Sequence, residues 1–192
     1  MRVLVACEFS GTVRDAFARL GHDAWSCDLL PTESPGQHIQ GDVLEVLNDG
    51  WDLMIAHPPC TYLSRAGARW WKNADRMLKA DEAAKFVFEL RDAPIRQIAI
   101  ENPIGQLNKR WRYPDQTIQP YQFGHPYSKA TCLWLKNLPK LIPTKLVSEY
   151  RPLIRSNVTK NKTQKGKYSG GLITAITFDG IAKAMAEQWG KP

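Results

Sequence analysis

At 192 residues the chain can bury a substantial core but is short for a core plus a second folded module, so one α/β domain over 1–192 is expected. A formal net charge of +7 favours an anionic partner without identifying it, because soluble surfaces often carry that balance. Four scattered cysteines with no C-x-x-C pair argue against a disulfide scaffold or a zinc site, and no apolar run is long enough to span a membrane. Reduced thiols, no metal, no membrane partner and a cytoplasmic location are expected.

The first apolar run, Val3-Leu4-Val5-Ala6, predicts a buried strand that ends in Cys7-Glu8-Phe9-Ser10-Gly11, a small-residue turn opening a helix. That helix is expected over 13–20, with Val13, Ala16, Phe17 and Leu20 on one face and Gly21 as its stop. A second strand over 23–27 ends at Asp28, where nucleotide-binding α/β folds place an acid on a ribose hydroxyl and where a helix cap is the alternative. A short third strand over 38–41 precedes Asp42, which on its residue type alone is a helix cap. The turn at residues 8–11 lacks the G-x-G-x-x-G spacing, which favours a smaller nucleoside cofactor over a dinucleotide.

The centre of the chain is Asp52-Leu53-Met54-Ile55-Ala56-His57-Pro58-Pro59-Cys60. Proline cannot donate to a ladder, so the strand over 53–56 stops near His57 and leaves Cys60 at a carboxyl end, the edge where open α/β sheets bind ligands. Residues 61–72 hold Ser64, Arg65, Gly67, Arg69, Trp70, Trp71 and Lys72, a composition suited to a mobile loop that touches phosphates and stacks on bases. Packing of Trp70 and Trp71 at the start of the next helix is the alternative. That helix is expected over 73–92, capped by Asn73, with Met77, Ala80, Ala84, Val87 and Leu90 facing the core.

The strand Gln97-Ile98-Ala99-Ile100 ends in Glu101-Asn102-Pro103, bringing an acid and an amide to the same edge, with Asn102 expected to hold the loop at the strand end. A late strand is expected over 130–135. From 136 to 172 the chain is irregular and basic, with Lys160, Lys162, Lys165 and Lys167. An amphipathic helix over 178–189 closes it, with Ile181, Ala184, Met185 and Gln188 spaced to pack.

In this order, Phe9-Ser10-Gly11, Gly41-Asp42-Val43, Pro59-Cys60 followed by Ser64 and Gly67, and Glu101-Asn102 resemble the motifs of DNA cytosine-5 methyltransferases. The resemblance runs through most of the chain and thins after Leu135. It implies an α/β, Rossmann-like class I S-adenosylmethionine-dependent fold, with a mostly parallel sheet and helices on both faces. S-adenosyl-L-methionine would be the cofactor, held by Glu8, Phe9, Ser10, Gly11, Asp28, Leu29, Asp42, Val43, His57 and Pro58. It implies Cys60 as nucleophile, Glu101 as a protonated or proton-sharing partner of the base, and Lys129 on the base carbonyl or a phosphate. Ser64, Arg65, Arg69, Trp70 and Trp71 would meet nucleic acid.

The chain departs from the family in three places. Lys129 and Thr131 stand where the family has two arginines, and Thr61 stands where many relatives carry glutamine. The stretch 136–172 is too short for a target-recognition domain, which implies minimal or relaxed sequence preference. DNA, single- or double-stranded, is the implied substrate. RNA, a free cytidine nucleotide or a catalytically inactive nucleic-acid-binding relative stay open. His57-Pro58-Pro59 also resembles the proline pair of amino-group methyltransferases, which place an aromatic residue where Cys60 stands.

Overall fold

The computed structural model describes residues 1–153 and 177–191. Two apolar strands, β1 (Arg2–Ala6) and β4 (Leu53–Ala56), are buried from Val3 to Ala6 and throughout β4, as strands covered on both faces must be. They pair in parallel at the middle of a seven-stranded sheet. The others are β2 (Asp23–Asp28), β3 (His38–Gln40), β5 (Gln97–Pro103), β6 (Gln116–Ile118) and β8 (Thr131–Lys136). A separate parallel pair joins β7 (Tyr127–Ser128) to β9 (Arg151–Pro152).

The sheet order is β3-β2-β1-β4-β5-β8-β6, with β8 antiparallel to both of its neighbours. This is the doubly wound order with one reversed strand inserted near the edge. It is a Rossmann-like α/β arrangement, mostly parallel with helices on both faces.

Side chains alternate across the sheet. Val3, Val5, Leu53, Ile55, Ala99 and Leu133 face one layer, which contains α1 (Thr12–Ala18) and α4 (Asp179–Trp189). Leu4, Ala6, Met54, Ile98, Ile100 and Trp134 face the other, which contains α2 (Ala74–Arg91) and α3 (Leu107–Arg110). Asn73 caps α2 as expected, its side-chain oxygen accepting from Arg76 N at 2.9 Å. Ala80, Ala84, Val87 and Leu90 are buried, and Met77 is half-buried.

Two expectations are corrected. Leu20 lies beyond α1 and is 51% exposed, because the helix ends at Ala18 and Gly21 turns the chain through φ 83°. Strand β5 runs to Pro103, three residues past the predicted 97–100, because β8 pairs with it from Ile98 to Pro103. In α4, Gln188 bonds the backbone of Ile142 in both directions at 2.8 and 2.9 Å, while Ile181, Ala184 and Met185 are buried.

A buried arginine shapes the edge nearest β2. Arg14, 1% exposed, pairs with Asp15 and donates to Ser26 Oγ, Thr32 Oγ1 and the Ser34 and Pro35 carbonyls at 2.9–3.3 Å. These bonds tie the loop after β2 to α1 and satisfy a charge that is costly to bury alone. Gly11 opens α1 at φ 74°, and a Cβ there would strike the Arg14 guanidinium. Among the described residues, no helix is long and apolar enough to cross a membrane.

Candidate active site

Register brings three strand ends to one level. Ala6 pairs with Ala56 and Ala56 with Ile100, so the next residues, Cys7, His57 and Glu101, lie side by side at the carboxyl edge. His57 N still reaches Ala6 O at 2.9 Å, and the prolines then turn the chain out of the sheet. Asn102 performs the expected task, its Nδ2 donating to Pro58 O at 2.9 Å from a fully buried position.

Cys60 is fixed through its backbone. Its carbonyl accepts from Leu63 N at 3.1 Å and Ser64 N at 2.8 Å. Leu63 O in turn accepts from Gln106 N at 2.7 Å, and Arg65 N donates to Ile104 O at 2.9 Å, fastening this loop to the chain after β5. The Cys60 side chain is left exposed.

The Cys60 thiol is pushed above its ordinary value, first by desolvation from surrounding protein atoms and then by the Glu101 carboxylate, while the Lys129 ammonium pulls it down. Both charged groups therefore lie within electrostatic reach of the sulfur. Cys7, pushed up to about 12, and Cys27, to about 11, are shifted first by burial and then by neighbours that include Asp28 and Asp42. Cys132, also pushed up by burial, is enclosed. Cys60 alone of the four is exposed, and thiolate chemistry needs access.

Glu101 is held by a neighbouring strand. Burial alone would raise its pKa, but the hydrogen bond and charge of His57, together with Lys129, hold it below the ordinary carboxylate value. His57 Nδ1 lies 3.1 Å from Glu101 Oε2, within hydrogen-bond distance. Where the resemblance implies a protonated or proton-sharing Glu101, the structure pairs the carboxyl group with His57. A narrow cleft beside it is lined by Glu101, Lys129, Thr131, Phe178, Ile181 and Met185. The Lys129 backbone is held by Gln119 Oε1 at 2.8 Å.

The residues expected at the cofactor are placed unevenly. Glu8, 5% exposed, accepts from Val13 N at 2.7 Å and Arg14 N at 3.1 Å, so its carboxylate holds the start of α1. Ser10 Oγ bonds that carboxylate at 3.3 Å, Gly11 is buried, and Phe9 is half-buried with its carbonyl accepting from Glu33 N. Asp28 accepts from Leu30 N at 2.9 Å. Asp42 caps the 3-10 helix Val43–Val46 through Leu44 N at 3.0 Å, which is the role its residue type alone suggests. Val43 is core at 4% exposure, Leu29 is 73% exposed, Pro58 is buried, and the His57 side chain turns to Glu101.

Within residues 61–72, where a loop was expected, six residues form a 3-10 helix. Ser64 caps a 3-10 helix, Arg65–Trp70, by accepting from Ala66 N at 3.2 Å. Arg65 and Arg69 are exposed, while Trp71 is half-buried with Lys109 Nζ 5.7 Å from its ring centroid. Lys160, Lys162, Lys165 and Lys167 lie outside the described residues.

The His57 contact is the feature that reading the chain locally misses. Its signal was present as two polar residues, each directly after the last apolar residue of an adjacent parallel strand.

No protein-family model matches the chain, and no curated protein matches it in sequence. Among solved structures, it is similar to one provisionally described as a DNA modification methyltransferase encoded within an E. coli prophage. The match is 16% identical with a TM-score of 0.48 and covers 77% of this chain and 52% of that one. The chain spans about half the length of that structure.

Proposed function

We propose that the chain is an S-adenosylmethionine-dependent methyltransferase acting on carbon 5 of cytosine in DNA through a covalent Cys60 adduct, with minimal or relaxed sequence preference. The observation that carries this reading is the meeting of an accessible thiol, a carboxylate and an ammonium at one sheet edge, each within the field of the others.

Carbon 5 of cytosine is too weak a nucleophile to attack a methyl sulfonium directly. Addition of the Cys60 thiolate at carbon 6 splits that hard step into two easier ones. The S–C6 bond forms as the C5=C6 pair becomes C4=C5 and ring nitrogen N3 takes up a proton beside Glu101. Lys129 lowers the cost of the thiolate and offers a donor to the base carbonyl. Once carbon 5 carries the methyl group, with its C4=C5 pair spent on that bond and C4=N3 restored, loss of the carbon 5 proton to water or a base re-forms C5=C6 and expels the thiolate, and N3 gives back its proton. Inside a duplex the ring is out of reach, so the base must be extruded or single-stranded.

The cofactor site is supported by the residues at the ends of β2 and β3. Asp28 and Asp42 each use one carboxylate oxygen locally, and Leu29 leaves an apolar side chain 73% exposed between them in sequence. Two acids beside unpacked apolar surface suit a nucleoside, with Asp28 toward ribose hydroxyls and Asp42 toward the adenine amino group. Bound there, S-adenosylmethionine supplies the electrophilic methyl group. The carboxylate of Glu8 and the side chains of Val43 and His57 are engaged elsewhere, so their part is to shape the wall.

The test is incubation with labelled S-adenosylmethionine and DNA, RNA or cytidine nucleotide, followed by digestion and identification of the labelled nucleoside by mass spectrometry. 5-Methyldeoxycytidine from DNA is expected. Label confined to RNA or free nucleotide would move the substrate class, label on an amino group would overturn the cysteine chemistry, and no label in any arm would favour a binding protein.

A further inference from the structure

We propose that His57 is the positioning residue and proton partner of Glu101, so that the pair, and not Glu101 alone, delivers the proton to N3 of the cytosine. This rests on the methyltransferase reading of the same site. The contact is built into the sheet: parallel register sets the two residues level, and their side chains are 9% and 17% exposed. The groups facing them are Lys129, leading into β8, and Cys60, after β4, while the Cys132 thiol of β8 also lies in the field of Glu101.

The need for a partner follows from charge. Glu101 paired with an imidazole is a carboxylate, which accepts hydrogen bonds but has no proton to give. Adding sulfur to carbon 6 places a pair on N3 that must be protonated. If the proton resides on His57 Nδ1, one transfer suffices in outline: Glu101 gives a proton to N3 as it takes one from His57. The imidazolium becomes imidazole, Glu101 is again a carboxylate, and N3 becomes N3–H. Elimination of the thiolate returns the proton by the same route.

The experiment has two readouts. The first is the single-turnover rate of covalent adduct formation on DNA containing 5-fluorocytosine, followed across pH for the wild type and His57→Asn. Because burial pushes the Cys60 thiol above its ordinary value, the wild-type rate is expected to rise with pH and to level off where the pair loses its proton, the gain in thiolate then matching the loss of the acid. In His57→Asn this rising limb is expected to end more than one pH unit lower, because the acid being lost is then a carboxyl and not an imidazolium. A merely structural role would lower the rate and leave the limb in place.

The second readout is carboxyl-carbon NMR of Glu101, assigned with Glu101→Gln. In the wild type it should titrate below 4.5, the ordinary value, and in His57→Asn the midpoint should rise. The wild-type half of this needs no variant to fold. An unmoved limb with adduct still forming, or a wild-type midpoint above the ordinary value, overturns the role of His57 alone. No adduct from the wild type at any pH overturns the methyltransferase reading and this proposal with it.

Discussion

Cys60→Ala is expected to lower methylated product by about 10³-fold or more, while affinity for S-adenosylmethionine changes by less than about twofold. The sulfur is the only atom lost, and the side chain is exposed. What the loop needs from residue 60 is its carbonyl, which accepts from Leu63 N and Ser64 N and survives in alanine. Neither of the cysteines near the end of β1 can take over, since Cys7 and Cys27 are pushed up to about 12 and about 11. Product counted per enzyme and calorimetric titration of the cofactor make the check. Turnover near the wild-type rate would remove the covalent step.

Gly105→Ala is expected to lower the melting temperature by about 5 °C and activity by more than about tenfold. A Cβ on Gly105 would collide with the Leu63 carbonyl, which is backbone and already accepts from Gln106 N at 2.7 Å. Leu63 is 1% exposed and has little room to yield. Overpacking of this kind costs about 1–3 kcal/mol, and each kcal/mol moves the midpoint of a chain this size by about 2–4 °C. The strain falls on the contact that fastens the Cys60 loop to the chain after β5, with Ser64 bridged to Gly105. Activity should therefore fall further than stability alone explains. Thermal unfolding, together with the rate at which iodoacetamide modifies Cys60, measures both effects. A variant with wild-type values in both would show that the loop is not held there.

The middle of the sheet was legible because its strands are short apolar runs ended by proline or by polar residues. Val3 to Ala6, Leu53 to Ala56 and Gln97 to Ile100 needed no tertiary information to be placed. The far edge was not legible: β6 has three residues and β7 and β9 have two each, too few for a period to show. The extension of β5 to Pro103 depends on a partner about 30 residues later, which no local pattern reveals.

The site divided in the same way. Placing Cys60 and Glu101 at one edge followed from strand ends, whereas the partner of the Glu101 carboxyl group, His57, lies 44 residues away in sequence. Residues 61–72 looked like a loop because glycine, tryptophan and cations carry no helical period, yet the Ser64 hydroxyl is enough to cap a 3-10 turn. Glu8, expected at the cofactor, instead meets the free amides at the start of α1, as a buried acid placed before a helix does.

The central claim is that the Cys60 sulfur and the Glu101 carboxyl act on one pyrimidine ring. Its most direct measurement is peptide mapping of the protein after incubation with S-adenosylmethionine and DNA carrying 5-fluorocytosine, whose fluorine blocks release of the enzyme. The expected result is a stable protein–DNA adduct carrying one methyl group, mapped to Cys60 and strongly reduced in Glu101→Gln. Methylation of ordinary cytosine by a protein that forms no such adduct, or an adduct mapped to another residue, would contradict the account.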